Sequence, residues 1–354
     1  MSEVSPEIFA AWRAPRFGAT NPARHDNPLW ASLVHDRINA YQVNARYGHG
    51  RVWGAAPTWC FDRFGQTTTA LPDGRTLYIG GEHEDYYDPD FYIYNDVVEV
   101  SAAGEVAIYG YPREVFPPTD FHTATLDGGA IWIVGSLGYA GQRVYGTTQV
   151  CRLELATMAI TRLETTGDGP GWLHRHEADL VDGAIVVRGG TVERAEAEHP
   201  EENIDEWALD LASLTWTRRT RREWQRWSVQ APEGARSLLW ELRQLLWHVE
   251  YPRFPSPVDY AETLRTALGR EPVLEPLQTL YDFDGAVACE RGEDDDYNLF
   301  RVEVDGVIVR FVEESHRIAV MVEGRLAEPR LRALQQQVLA RVGALHAVAW
   351  ELVG

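Results

Sequence analysis

The sequence predicts a mainly β chain, in which a repeated four-stranded unit is followed by an α+β module. Two observations carry this. An Asp-Gly pair recurs at Asp73-Gly74, Asp127-Gly128 and Asp182-Gly183, intervals of 54 and 55 residues, each time between two apolar runs rich in β-formers. Beyond Trp216 the alternation of strands gives way to helical spacing. At 354 residues the chain is long enough for two domains, read as 1–225 and 228–354.

The elements of each repeat follow in order. After the Asp-Gly turn comes a short strand ending in glycine: Leu77-Tyr78-Ile79-Gly80-Gly81, Ile131-Trp132-Ile133-Val134-Gly135-Ser136 and Ile185-Val186-Val187-Arg188-Gly189-Gly190. A variable polar loop leads to a third strand at Asn95–Val100, Thr148–Leu153 and Asp205–Asp210. A fourth closes the unit at Val106–Tyr109, Ala159–Arg162 and Leu214–Trp216. A four-stranded unit cannot bury both faces alone, so stacking of units must supply the core.

With the first-strand segments Arg63-Phe64-Gly65-Gln66-Thr67, Asp120-Phe121-His122-Thr123-Ala124 and Leu173-His174-Arg175-His176-Glu177, and the Gly/Pro-rich link Gly167-Asp168-Gly169-Pro170, the pattern resembles the kelch family over residues 57–220. The resemblance implies a β-propeller. Three blades are clear, and residues 28–56, with Ala40-Tyr41-Gln42-Val43 and Arg51-Val52-Trp53, offer a degenerate fourth. The second unit departs from the family's paired glycines with Gly135-Ser136, and the first carries Gln66 where the family often has histidine.

In the second module, Leu238, Leu239, Leu242, Leu245, Leu246 and Val249 follow the spacing of an amphipathic helix, ended by Pro252, Pro255 and Pro257. Asp259–Leu268 is a second helix, stopped by Gly269. Strands are expected at 286–289, 299–304, 307–312 and 317–322, with Asp305-Gly306 as a two-residue hairpin turn. A helix at 328–343 and a terminal strand from His346 to Leu352 complete an antiparallel α+β module. Arg218, Arg219, Arg221, Arg222 and Arg226 read as a connector, and Trp216, Trp224, Trp227, Trp240 and Trp247 as aromatic surface that packs the modules together.

Composition narrows the function. The net charge of −20, from 53 acidic and 33 basic residues, disfavours nucleic acids and anionic membranes and favours a basic protein partner. No apolar run is long enough to span a bilayer, and the acidic opening Met1–Glu7 lacks the apolar stretch of a secretory signal. The three scattered cysteines, Cys60, Cys151 and Cys289, suggest neither a disulfide framework nor a zinc site, so a reduced, cytoplasmic setting is expected. Every basic residue other than histidine is arginine. No metal or other cofactor is expected.

Two function classes remain. The first is a non-catalytic binding module that captures a basic partner, an adaptor or a bacterial immunity-type protein. Its binding residues are Glu82, Glu84, Asp85, Tyr86, Tyr87 and Asp88 in the first unit's loop, Tyr139 in the second's, and Glu201 and Glu202 in the third's. Equivalent loops of successive blades emerge on one face, where acids and aromatics suit a basic partner. The second class is an enzyme, a lyase or isomerase acting on a small sugar-like ligand in the propeller channel. Its candidates are Gln66, His122 and His176, equivalent first-strand positions that would share the channel and, through histidine, move protons.

Overall fold

The computed structural model describes residues 4–25, 27–48, 56–83, 88–195, 201–254, 256–290 and 296–353. The chain divides into two compact units, Met1–Arg221 and Arg222–Gly354. Antiparallel sheets dominate both. Among the described residues no helix is long and apolar enough to cross a membrane.

The first unit opens with three short helices and one short strand: α1 (Pro6–Trp12), β1 (Ala23–Arg24), α2 (Pro28–Asp36) and α3 (Ala40–Tyr47). Each helix begins where its sequence supplies a cap. Ser5 accepts the Ile8 amide, and Asn27 accepts those of Leu29 and Trp30. Asn39 and Gln42 form a reciprocal capping box. That box decides the fate of Ala40-Tyr41-Gln42-Val43, expected as part of a fourth blade. The two caps fix a helical first turn, and residues 28–36 and 40–47 are helical. Arg51-Val52-Trp53 lies outside the described residues.

The first sheet follows: β2 (Thr67–Ala70), β3 (Thr76–Ile79), the short hairpin pair β4 (Glu82–His83) and β5 (Tyr92–Ile93), β6 (Asp96–Val100) and β7 (Val106–Gly110). Strands β2, β3, β6 and β7 form an antiparallel meander, and β1 adds to its outer edge. The second sheet is β8 (Thr123–Asp127), β9 (Ala130–Val134), β10 (Val150–Glu154) and β11 (Ala159–Leu163). The third region holds β12 (Thr166–Gly167), β13 (Trp172–His174), β14 (Glu177–Val181), β15 (Ala184–Arg188), β16 (Thr191–Glu193), β17 (Glu201–Glu202), β18 (Trp207–Asp210) and β19 (Thr215–Arg218). There β14, β15, β18 and β19 repeat the meander, β12 runs parallel to β19, and β13, β16 and β17 pair separately. The three Asp-Gly pairs lie at the β2–β3, β8–β9 and β14–β15 turns, as the sequence predicts. At Asp182-Gly183 both residues are left-handed, with φ of 50° and 78°, the backbone a two-residue hairpin requires.

These three sheets stack. Tyr78, Val98 and Ile108 of the first face the helices, packing on Leu29, Trp30, Leu33 and Val43. Leu77, Ile79 and Val97 point the other way, against Ile131, Ile133, Cys151 and Leu153 of the second. Trp132, Val134 and Val150 face Ile185, Val187, Trp207 and Leu209 of the third. The middle sheet is thus covered on both faces, so β9 is buried at every residue instead of alternating.

The second unit carries one six-stranded sheet. Its elements are β20 (Gln225–Gln230), α4 (Leu239–Glu250), α5 (Tyr260–Leu268), α6 (Glu275–Gln278), β21 (Ala286–Ala288), β22 (Leu299–Val304), β23 (Val307–Glu313), β24 (Arg317–Val322), α7 (Glu328–Leu345) and β25 (Glu351–Val353). The order is β21-β22-β23-β24-β20-β25. Of the Arg-rich connector, Arg219, Arg221 and Arg222 lie in the stretch that links β19 to β20, whereas Arg218 ends β19 and Arg226 lies inside β20; the division into units falls at 221/222. The inward residues of β20 are Trp227 and Val229, whose alternation the flanking arginines obscured. The tryptophans expected at the junction have separate places: Trp216 lies in the first unit's core and Trp227 in the second's, while Trp240 and Trp247 are exposed. The terminal strand starts only at Glu351, because buried His346 is tied otherwise: its Nε2 accepts the Leu238 amide at 3.0 Å, and its Nδ1 donates to the Val342 carbonyl at 2.9 Å.

The stack makes a glycine prediction. A Cβ on Gly80 would lie 2.1 Å from the Thr119 carbonyl oxygen, whereas one on Gly189, the same repeat position with nearly the same φ, would meet nothing within 4 Å among the described residues. Gly80→Ala should therefore cost about 3 kcal/mol or more, and Gly189→Ala only the backbone strain of about 1 kcal/mol. Urea titrations compare them directly; equal losses would contradict the packing described.

Candidate functional site

The residues before β2, β8 and β14 are built on the same plan. Gly65, Phe121 and Arg175 all hold left-handed backbones, with φ of 60°, 47° and 56°. The Phe121 amide donates to the Gly65 carbonyl at 2.9 Å, and the Arg175 amide to the Phe121 carbonyl at 2.8 Å. This ladder crosses from sheet to sheet and carries the next residues, Gln66, His122 and His176, into the same setting three times.

His122 and His176 are buried, and each ring reaches back to a threonine of the preceding sheet: His122 Nε2 lies 2.8 Å from Thr67 Oγ1, and His176 Nε2 lies 3.0 Å from Thr123 Oγ1. Neither Nδ1 has a hydrogen-bond partner among the described residues. Burial pushes both imidazoles down to about 3, with each other's proximity adding to the effect on His122. Such groups stay neutral near neutral pH and are poorly matched to proton transfer there. Gln66, in the first sheet, instead donates to the Gly80 carbonyl of its own sheet at 3.4 Å. The row fastens one sheet to the next. Among the described residues no group of three or more His, Cys, Asp or Glu is placed to hold a metal ion.

The loops between second and third strands do come together, as the repeat geometry implies. Tyr139 Oη accepts the Ile93 amide at 2.9 Å, and its ring meets Phe91 edge-on at 5.7 Å, joining the first loop to the second. Arg143 pairs with Glu193 at 2.8 Å, joining the second to the third. Glu193 also takes His174 Nε2 at 3.2 Å, and Trp172 Nε1 donates to the Leu137 carbonyl at 3.0 Å.

Within this face the expected binding residues separate. Glu201 and Glu202 are exposed on β17, with Glu201 paired to Arg194 at 2.5 Å, and Asp88 is half-buried. Tyr139 bridges loops rather than standing free. Glu82 is half-buried and hydrogen-bonds Asp120, a fully buried carboxyl that also accepts the Gly138 amide at 2.7 Å and the Ser136 hydroxyl at 3.2 Å. Burial raises the Asp120 pKa, against the opposing pull of those three bonds. Glu84, Asp85, Tyr86 and Tyr87 lie outside the described residues.

Behind the first loop sits a cluster that the sequence did not announce. The Arg63 side chain is fully buried, bidentate on Asp96 at 2.6 and 3.1 Å, and 3.4 Å above the Tyr94 ring. Trp59 Nε1 donates to the same Asp96 at 2.7 Å, and Tyr94 Oη meets His83 Nδ1 at 2.5 Å. Burial, and then the Arg63 charge, push His83 down to about 4. No spacing signal links Arg63 to Asp96; only the pairing of strands far apart in sequence brings them together. A buried pair of this kind fixes geometry more surely than it adds stability.

No protein-family model matches the chain, and no curated protein does. A solved structure titled "Structure of YjhT" is 12% identical, with 48% of this chain matched to 54% of that one at a TM-score of 0.34. The match spans about half the length of that structure, and at this level it decides neither fold nor function.

The buried histidines set a pH dependence. In the unfolded chain they protonate near 6.5, whereas in the fold His83 waits until about 4 and His122, His174 and His176 until about 3. Stability is therefore full above 6.5 and is lost as the pH falls from there toward 3, each ring adding a slope of up to about 1.4 kcal/mol per pH unit. Asp120, raised by burial, works in the opposite sense. The melting temperature should fall between about pH 7 and about pH 5, and His176→Asn should flatten that fall. A flat profile in the unaltered protein would mean that the rings ionise inside the fold.

Proposed function

We propose that the first unit is a kelch-like, propeller-type array of three blades, and that the protein is a non-catalytic module that captures a basic protein partner, in the manner of an adaptor or a bacterial immunity protein. The observation that carries this reading is the division of labour in the repeat. The histidine row is locked between sheets and neutral, while the loops of all three sheets are tied side by side on one face. Loops that carry Asp88, Glu201 and Glu202, with Glu84, Asp85, Tyr86 and Tyr87 next to Asp88 in the sequence, suit electrostatic capture, and the net charge of −20 steers basic partners toward the molecule. The alternative, a lyase or isomerase working through His122, His176 and Gln66, would need those side chains open to a ligand and able to exchange protons near neutrality. The burial and threonine bonds of the two histidines weigh against it.

The test uses a partner isolated with the intact protein as bait. Charge removal in Glu84→Gln, Asp85→Asn, Asp88→Asn, Glu201→Gln and Glu202→Gln together should slow association by about tenfold or more at low salt, and added salt should slow the unaltered protein in the same way. Association indifferent to both changes would rule the loop face out. Retained activity of a His122→Asn, His176→Asn variant on any small ligand would remove the histidine-based alternative.

A further inference from the structure

The second unit contains a cavity of about 640 Å³ between one face of α4 and the ends of β22 and β23, a size suited to a small molecule. Its walls are aromatic. Trp240 and Trp247, seven residues apart and so on one face of α4, are 48% and 42% exposed, and Tyr297 meets Trp240 edge-on at 5.1 Å. Phe300 completes the lining, covered by the Arg243 guanidinium at 4.2 Å.

The charges in this lining are unequal. Glu241, Glu250, Glu313 and Glu314 face two arginines, Arg236 and Arg243. Arg243 is already bidentate on Glu313, at 2.7 and 3.1 Å, and Tyr281 donates to the same carboxylate at 2.9 Å. Arg236 holds one oxygen of Glu241, Oε1, at 2.5 Å. The other oxygen, Oε2, is buried without a hydrogen-bond partner among the described residues, although Glu241 as a whole is only 7% exposed. A buried acceptor left unmatched costs about 1–3 kcal/mol, more when charged, and is rare in a folded protein. An anion would find both arginines engaged. A neutral apolar ligand would leave the carboxylate as it stands. A positively charged N–H donor would satisfy it and place its charge among aromatic faces.

We propose that this cavity binds a small organic cation, an amine, amidine or guanidinium carried on an apolar body, with its donors on Glu241 and its body between Trp240, Trp247 and Phe300. The inference rests on the second unit alone, so its failure leaves the loop face of the first unit untouched, and the reverse holds as well. Calorimetric titration of the full chain with benzamidine and with benzamide tests it, because the two differ chiefly in charge. Benzamidine should bind at least about tenfold more tightly. Glu241→Gln should remove most of that preference and leave benzamide unaffected, a tenfold change corresponding to about 1.4 kcal/mol. Trp240→Leu, at an exposed position that the fold does not need, should weaken benzamidine as a second and independent variant. No heat with benzamidine, equal affinity for the two compounds, or a Glu241→Gln variant that folds and binds benzamidine as the original does would each overturn the assignment.

Discussion

The first unit depends on one constraint: the backbones of neighbouring sheets must approach within hydrogen-bonding distance at the start of β2, β8 and β14. The ladder through Gly65, Phe121 and Arg175 needs three left-handed residues in register, two of which are not glycine. Such backbones are strained and persist only where the surroundings over-determine them. Here the surroundings do so twice. The Gly81 amide donates to the Thr119 carbonyl, and the Ser136 amide to the Leu173 carbonyl, beside glycines that leave room for the next sheet. The His122–Thr67 and His176–Thr123 bonds then close the seam from the side-chain side. Because both rings must be neutral to remain buried, the seam that holds the sheets is also the part of the unit most sensitive to acid.

The repeat changes where the seam ends. The histidine position of the first sheet holds Gln66, which turns to its own Gly80 carbonyl. The threonine position of the third sheet holds Glu177, exposed on β14, and among the described residues nothing approaches Gly189 where Gly80 and Gly135 have backbone. Among the described residues no further sheet of this pattern extends the row in either direction. The apolar face beyond the first sheet is covered instead by α1, α2 and α3, with Trp30 stacked on Trp59 at 4.7 Å. A stacked array needs its terminal faces treated differently from its interior, and the helical cover meets that need on one side.

The second unit solves its packing by other means. Its sheet packs Val309, Phe311, Val320 and Val322 against Leu331, Leu334, Val338 and Val342 of α7 and Leu239 and Leu242 of α4 in one core. Arg243, Glu313 and Tyr281 join α4 to the sheet by hydrogen bonds within reach of that core. With Arg243 held there, the neighbouring aromatic face of α4 remains open, and the cavity follows from that arrangement.

The sequence determined what is local and periodic. Asp-Gly turns, β-rich runs, glycines after the second strands and the helical spacing of α4 each act over a few residues. Their physical cause, a left-handed backbone or a period of two or of 3.6, is written in those residues. The 54–55-residue repeat even placed the loops on one face and aligned Gln66, His122 and His176. What it left open depends on which residues meet at long range. The capping box at Asn39 and Gln42 overrode a strand pattern, β20 was hidden among arginines, and the histidine row proved to be a fastener because Thr67 and Thr123 lie 55 and 53 residues before their partners. Arg63 with Asp96, Glu82 with Asp120, and Glu241 with its unmatched oxygen acquire meaning only from burial. Burial belongs to the packed chain, because the cost of an unsatisfied charge exists only once tertiary structure has excluded water.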